Sequence, residues 1–173
     1  MSSAIGKDKP VLAFCGYGRA GKDTGAEWFR DHTDLVFLGG CSWTARQYMA
    51  QRLSVDEDRV ITAEEAYERR HEDRWRWYTY MNEYRKGDPA RLIRNCLSHS
   101  DIVCGVRDRT ELFAAKEEGL LDLLIWVDRD VPDDNTVTYT IDDCDVIIRN
   151  RGEVKVYYRR LERLARSLGL KVH

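Results

Sequence analysis

A short apolar run, Pro10-Val11-Leu12-Ala13-Phe14-Cys15, passes directly into Gly16-Tyr17-Gly18-Arg19-Ala20-Gly21-Lys22-Asp23-Thr24. No other stretch constrains the fold as tightly. The apolar run has the length and character of a buried strand. Three glycines close together let the backbone adopt positive φ, a conformation other residues avoid. A helix over Thr24 to Asp31 would then turn its N-terminus, with its unpaired N–H groups, back over the loop. Strand, glycine-rich turn and helix in succession make a βα unit, the repeating element of a parallel sheet.

The rest of the chain continues the alternation. Further strands are predicted at Leu35–Leu38, Asp101–Val106, Leu123–Val127 and Cys144–Ile148. Helices are predicted over Thr44–Leu53, from Thr62 (opening a capping-box-like Thr62-Ala63-Glu64-Glu65) to about Arg85, and over Ala90–Ser98, Thr110–Glu118 and Val154–Leu168. Gly87-Asp88-Pro89 separates the second and third of these. The expected architecture is α/β: one domain over residues 1–173, with a five-stranded parallel sheet and helices on both faces. The polar segment from Asp128 to Asp143 is expected to be a mobile loop.

Composition narrows the class. The chain carries 28 Lys+Arg against 30 Asp+Glu, a net charge of −2, which excludes a protein that coats nucleic acid through bulk positive charge. No run approaches the roughly 20 apolar residues of a membrane span, and Met1 to Lys7 lack the apolar core of a secretory signal. The expectation is a cytoplasmic protein with no membrane partner. Cys15, Cys41, Cys96, Cys104 and Cys144 show no CxxC spacing and are expected to be reduced thiols, mostly buried. Arginine outnumbers lysine 21 to 7, and the planar guanidinium suits bidentate contacts to phosphate or carboxylate.

Gly16, Gly21 and Lys22 fit the G-x4-G-K frame of a Walker A loop. In such a loop backbone N–H groups wrap phosphate, and the lysine reaches the β- and γ-phosphates. Asp23 stands where Ser or Thr normally ligates magnesium, and Thr24 follows it. The same residues also fit G-x-G-x-x-G. That dinucleotide fingerprint requires an acidic residue after the second strand, where this chain has Leu38-Gly39-Gly40-Cys41.

Gly21-Lys22-Asp23-Thr24 resembles the GKDT loop of phage-type deoxynucleoside monophosphate kinases, relatives of thymidylate kinase. The resemblance continues at Val103-Cys104-Gly105-Val106-Arg107 with Glu111 following. It resumes at Ile125-Trp126-Val127-Asp128-Arg129 and at Asp145-Val146-Ile147-Ile148-Arg149-Asn150-Arg151-Gly152. It implies a P-loop kinase fold, with ATP and Mg2+ as cofactors and a small nucleotide as acceptor. An acceptor-binding helical region would cover about 42–99, and a lid about 128–143. Gly105 departs from the family, many of whose members carry an acid there, so magnesium would fall to Asp23 and Thr24, with Asp108 a further candidate, or mainly to the nucleotide's own phosphates.

Within this resemblance, Gly16, Arg19, Ala20, Gly21, Lys22, Asp23 and Thr24 would bind the donor phosphates. Asn150, Arg151 and Gly152 would border its base. Lys22, Arg107, Asp23 and Arg129 are the catalytic candidates: Arg107 leaves a strand at its carboxyl end, and Arg129 opens the lid. Transfer spreads negative charge over phosphoryl oxygens, so cations there accelerate it. Arg46, Arg70, Arg74, Trp77, Tyr78 and Asp108 are the acceptor-binding candidates. Arg70, Arg74 and Tyr78 share one face if the helix is continuous, and Arg69 to Arg94 holds eight basic against four acidic residues.

Two other functions remain open. Some phage P-loop kinases of similar shape phosphorylate a hydroxymethyl group of 5-hydroxymethyluracil in DNA, and the arginine- and tryptophan-rich helix could contact such a strand. A non-catalytic nucleotide-binding module would retain the loop alone. The assembly state is open as well, a homodimer included.

Overall fold

In the computed structural model, which describes residues 9–173, β1 (Leu12–Cys15) is buried on both sides. Its alternate residues feed two separate cores, as the two-residue period of a strand requires. Ala13 and Cys15 pack with Met49, Leu53, Ile93 and Trp126. Leu12 and Phe14 pack with Phe29, Ile125, Tyr157 and Leu161. Residues 1–8, which carry the segment read above for a signal, lie outside the description.

The helices that supply these cores are α1 (Lys22–His32), α2 (Cys41–Asp56), α3 (Ala63–Glu68), α4 (Arg74–Arg85), α5 (Arg91–Leu97), α6 (Arg109–Glu117) and α7 (Val154–Ser167). With β2 (Ile102–Cys104), β3 (Leu123–Asp128) and β4 (Val146–Arg149), β1 forms a four-stranded parallel sheet in the order β2-β1-β3-β4. Helices α1 and α7 line one core, and α2 to α6 the other. The α/β class and parallel sheet match the sequence reading, but the count of five strands does not.

The missing strand is Leu35–Leu38. It alternates like one, with Leu35 and Phe37 buried and Val36 and Leu38 exposed. Its hydrogen bonds explain why it forms no ladder. Val36 N donates to the Asp101 carboxylate at 2.8 Å, and Leu38 N donates to Ser100 Oγ at 3.2 Å. Among the described residues, only Asp101 N to Val36 O, 2.8 Å, is a backbone pair. Side chains ahead of β2 have replaced the carbonyls that would make this segment a fifth strand.

The expected helix from Thr62 to Arg85 is also broken. Thr62 caps α3 as predicted, its side chain accepting from Glu65 N at 3.1 Å. After Glu68 the chain tightens into a 3-10 turn over Arg69–His71, and Arg69 O accepts from both Glu72 N and Asp73 N at 2.9 Å. The Arg69 guanidinium is meanwhile held by Glu57, Glu65 and Asp73. These ion pairs fix the turn, and α4 restarts at Arg74 with Trp77 facing inward. Arg70 therefore does not share a helix face with Arg74 and Tyr78.

The segment 128–143 contains a 3-10 turn at Ile141–Asp143 and is tied to the sheet end. Tyr139 is buried, its hydroxyl donating to Val106 O at 2.8 Å, and Thr138 N donates to Arg107 O at 2.9 Å. Four of the five cysteines are buried free thiols, and Cys144 is half-buried. Among the described residues, no helix is long and apolar enough to cross a membrane.

Candidate functional site

The glycine-rich loop leaves β1 at the carboxyl end of the sheet and enters α1. Its turns need positive φ at Gly16 (134°), Arg19 (64°) and Gly21 (97°). At Gly16 there is a second constraint, because a Cβ would come within 3.0 Å of Val127 O. Gly21 is the N-cap of α1, with no side chain to occupy the helix's free N–H groups. The loop thus presents backbone donors and the positive end of a helix dipole to whatever lies above it.

Two side chains support the loop from below. Asn150 Nδ2 donates to Ala20 O at 2.8 Å, and Tyr157 Oη donates to Gly21 O at 3.0 Å. Asn150 is itself buried. One amide hydrogen of Asn150 is therefore engaged by the backbone of the glycine-rich loop, which it buttresses. Arg151 pairs with Asp128 at 3.0 Å, and Gly152 (φ 99°) makes an open turn.

Lys22 opens α1, and its Nζ donates to Tyr17 O at 2.5 Å, folded over its own loop. Burial lowers its pKa and Arg107 adds to the effect, against the raising influence of Asp23 and Asp134. Arg107, just beyond β2, reaches the same end of the sheet. It pairs with Asp134 at 2.8 Å and also bonds Thr136 Oγ1. Arg74 of α4 approaches the same carboxylate, its Nη2 3.7 Å from Asp134 Oδ1. Partial burial works against ionisation of Asp134, but hydrogen bonds from Thr136 and Arg107 win and hold its pKa down at about 2. The expected neighbour of Arg107, Glu111, pairs instead with Arg85.

Asp23 is exposed in the first turn of α1, its Oδ1 accepting from Cys104 Sγ at 3.1 Å, and Thr24 is half-buried beside it. Gly105 has room for a side chain, since a Cβ would meet only Cys41 N at 3.8 Å, but its φ of 90° favours glycine. A side chain at this position would thus be limited by the backbone conformation and not by crowding. One carboxylate and one hydroxyl are a small donor set, yet Mg2+ commonly keeps waters and takes one or two carboxylates plus phosphate oxygens. Asp23 and Thr24 fit that pattern. Among the described residues, no group of three His, Cys, Asp or Glu side chains gathers as a metal site.

Several acceptor candidates are engaged elsewhere. Asp108 caps α6, accepting from Thr110 N at 2.8 Å. Arg46 lies over the Trp43 ring at 3.7 Å, and Arg70 over Tyr67 at 4.0 Å. Trp77 is buried in the core, while Tyr78 and Trp75 are exposed. Arg129 and Arg19 are both exposed. A cavity of about 480 Å³ lies at the β4 edge between Ile147, Arg149, Arg160 and Arg163, with none of the loop residues in its lining.

Sequence reasoning missed Asp134, Thr136 and Tyr157. Asp134 and Thr136 stand in a polar segment, and Tyr157 stands on the last helix, where it is buried. No local signal distinguishes them, because each acts across a long sequence separation. No protein-family model matches the chain, and no curated protein matches it significantly.

Proposed function

We propose that this protein is a P-loop kinase that transfers the γ-phosphate of ATP, with Mg2+, to a deoxynucleoside monophosphate. The observation that carries the reading is the convergence on one sheet end of the glycine-rich loop, Lys22, Arg107 and Arg74. Ligands of open α/β sheets bind at that end.

In this reading the loop amides and the α1 N-terminus hold the donor's phosphates, and Lys22 exchanges Tyr17 O for a phosphate oxygen. Asp23 and Thr24 would hold Mg2+, whose contribution is to neutralise charge on the phosphates. An acceptor phosphate oxygen attacks the γ-phosphorus in line, and the bond to the β–γ bridging oxygen breaks. The acceptor is already ionised, so no general base is required. Lys22 and Arg107 stabilise the charge that develops on the transferred group.

The test is ADP release over a panel of deoxynucleoside monophosphates. Turnover that rises above background hydrolysis with one or more of them, and falls by about a hundredfold or more in Lys22→Ala, is expected. ATP binding without transfer to any acceptor would leave only a nucleotide-binding module.

A second acceptor is favoured by one observation. Trp75 and Tyr78 are 76% and 64% exposed on α4, the helix that carries Arg74. Exposed aromatics beside arginine are how single strands are gripped. Labelled phosphate appearing on DNA containing 5-hydroxymethyluracil, and not on free nucleotide, would establish that reading in place of the first.

A further inference from the structure

Asp134 lies on the segment between β3 and β4, and its carboxylate sits where three parts of the site converge. Oδ2 accepts from Arg107 Nη1 at 2.8 Å, and Oδ1 is 3.7 Å from Arg74 Nη2. On the loop side, a Cβ on Gly18 would come within 3.2 Å of Oδ2. Oδ1 also accepts from Thr136 N at 3.0 Å and Thr136 Oγ1 at 2.5 Å. The side chain is 13% exposed, whereas its partners Arg107 and Arg74 are 50% and 61% exposed. The carboxylate is therefore the inner member of the cluster, and the arginines close over it from the solvent side.

An arginine fork receives carboxylate and phosphate oxygens with the same geometry. We propose that Asp134 is an internal anion occupying a phosphate subsite formed by Arg107, Arg74 and the Gly18 edge of the loop, and that a nucleotide phosphate displaces it on binding. The inference rests on the kinase reading and deepens it by assigning the ligand class of this subsite. Like-charged arginines brought together need a counter-ion, and Asp134 supplies one. A phosphate dianion offers the arginines more charge and more acceptor oxygens than one carboxylate does. An uncharged alcohol offers neither, so the subsite selects a phosphate-bearing ligand. Displacement also breaks the Asp134–Arg107 ion pair that joins the 131–138 segment to the chain just beyond β2, which links occupancy of the subsite to movement of that segment.

The experiment measures binding of ADP, a non-hydrolysable ATP analogue and each deoxynucleoside monophosphate to the full chain by calorimetry. It compares the wild type with Asp134→Asn and Asp133→Asn. The amide oxygen introduced by Asp134→Asn would still accept from Thr136, so the turn is retained, and Asp133 is an exposed neighbour that controls for net charge. Asp134→Asn is expected to tighten binding by about twofold to fivefold, the scale of a partly exposed ion pair. A gain for the monophosphate assigns the subsite to the acceptor, and a gain for the ATP analogue without ADP assigns it to the γ-phosphate. No gain for any nucleotide, or an equal gain in Asp133→Asn, overturns the proposal. Should Asp134→Asn fail to fold, amide exchange in the wild type decides. Exchange over 131–138 must rise when a nucleotide shown by calorimetry to bind the wild type saturates the protein, and unchanged or slowed exchange with every such nucleotide overturns the proposal. Nucleotides that bind through Lys22 with no Asp134 effect remove this inference alone; no nucleotide binding at all removes the kinase reading and this inference together.

Discussion

The side-chain amide of Asn150, at the end of β4, holds the carbonyl of Ala20 in the glycine-rich loop at 2.8 Å, across 130 residues of sequence. The contact leaves no room for a larger residue at the loop's last glycine, where a Cβ would lie 2.4 Å from Asn150 Nδ2. Loop conformation and the β4 end are thus coupled directly. Removing the amide in Asn150→Ala leaves a carbonyl without its partner, at a cost of about 1–3 kcal/mol. Chemical denaturation should read that loss. Nucleotide affinity should fall with it if the loop is the phosphate site.

Gly25 packs in the first turns of α1 against the other support of the loop. A Cβ there would meet Tyr157 Oη at 2.5 Å and Phe14 Cε1 at 2.6 Å. Gly25→Ala ordinarily favours a helix. Here overpacking should reverse the sign and destabilise by about 1–3 kcal/mol. The double variant Gly25→Ala/Tyr157→Phe should recover part of the loss, because the hydroxyl oxygen is the closest atom. A thermal melt of the three proteins measures it, and a stabilised single variant would refute the packing argument.

Glu111 is 2% exposed, and burial outweighs its Arg85 partner to raise its pKa to about 7. Between the ordinary glutamate value and about 7, the native state binds a proton that the unfolded state has released. Stability must fall as pH rises through that window and level off above it. Glu111→Gln removes this dependence. The stability of the variant relative to the wild type should therefore improve from pH 5 to pH 8, by up to about 3 kcal/mol. The slope is the readout, since the variant also leaves Arg85 without a charged partner.

Glu57 gathers Arg69, Arg76 and Arg59 at 2.6, 2.9 and 3.0 Å. The bond from Arg69 leads in holding its pKa at about 2; desolvation opposes it, and the bond from Arg76 and the charges of Arg69 and Arg59 outweigh that opposition. Such a group stabilises the fold above its unfolded pKa and loses that contribution as pH falls through the folded value. The urea midpoint of the wild type should exceed that of Glu57→Gln near pH 6. The gap should narrow from pH 5 towards pH 3 and shrink in high salt, because these side chains are partly exposed.

Much of the scaffold was legible locally. Four of the predicted strands form the sheet, and Val154–Leu168 folds as α7 (Val154–Ser167), because period-2 and period-3.6 patterns report burial directly. Gly16 and Gly21 announced two of the loop's positive-φ positions, while Arg19 adopts the third without a glycine. Leu35–Leu38 misled for the same reason: its alternation is real, but its backbone partners are the side chains of Asp101 and Ser100. The helix expected to Arg85 failed because Glu57, just past the end of α2, draws Arg69 into an ion pair that local propensity does not contain.

The sequence by itself determined an α/β chain with a strand–loop–helix whose turn is rich in glycine, and it marked Lys22 and Arg107 as the cations at that end. Tertiary structure alone decided which polar groups face them. Asp134 lies between Arg107 and Arg74, Asn150 lies under Ala20, and Asp108 is spent on a helix cap. Covalent geometry and periodicity act over a few residues and are written locally. Ion pairs and buried hydrogen bonds depend on distance in space, and folding alone sets that distance.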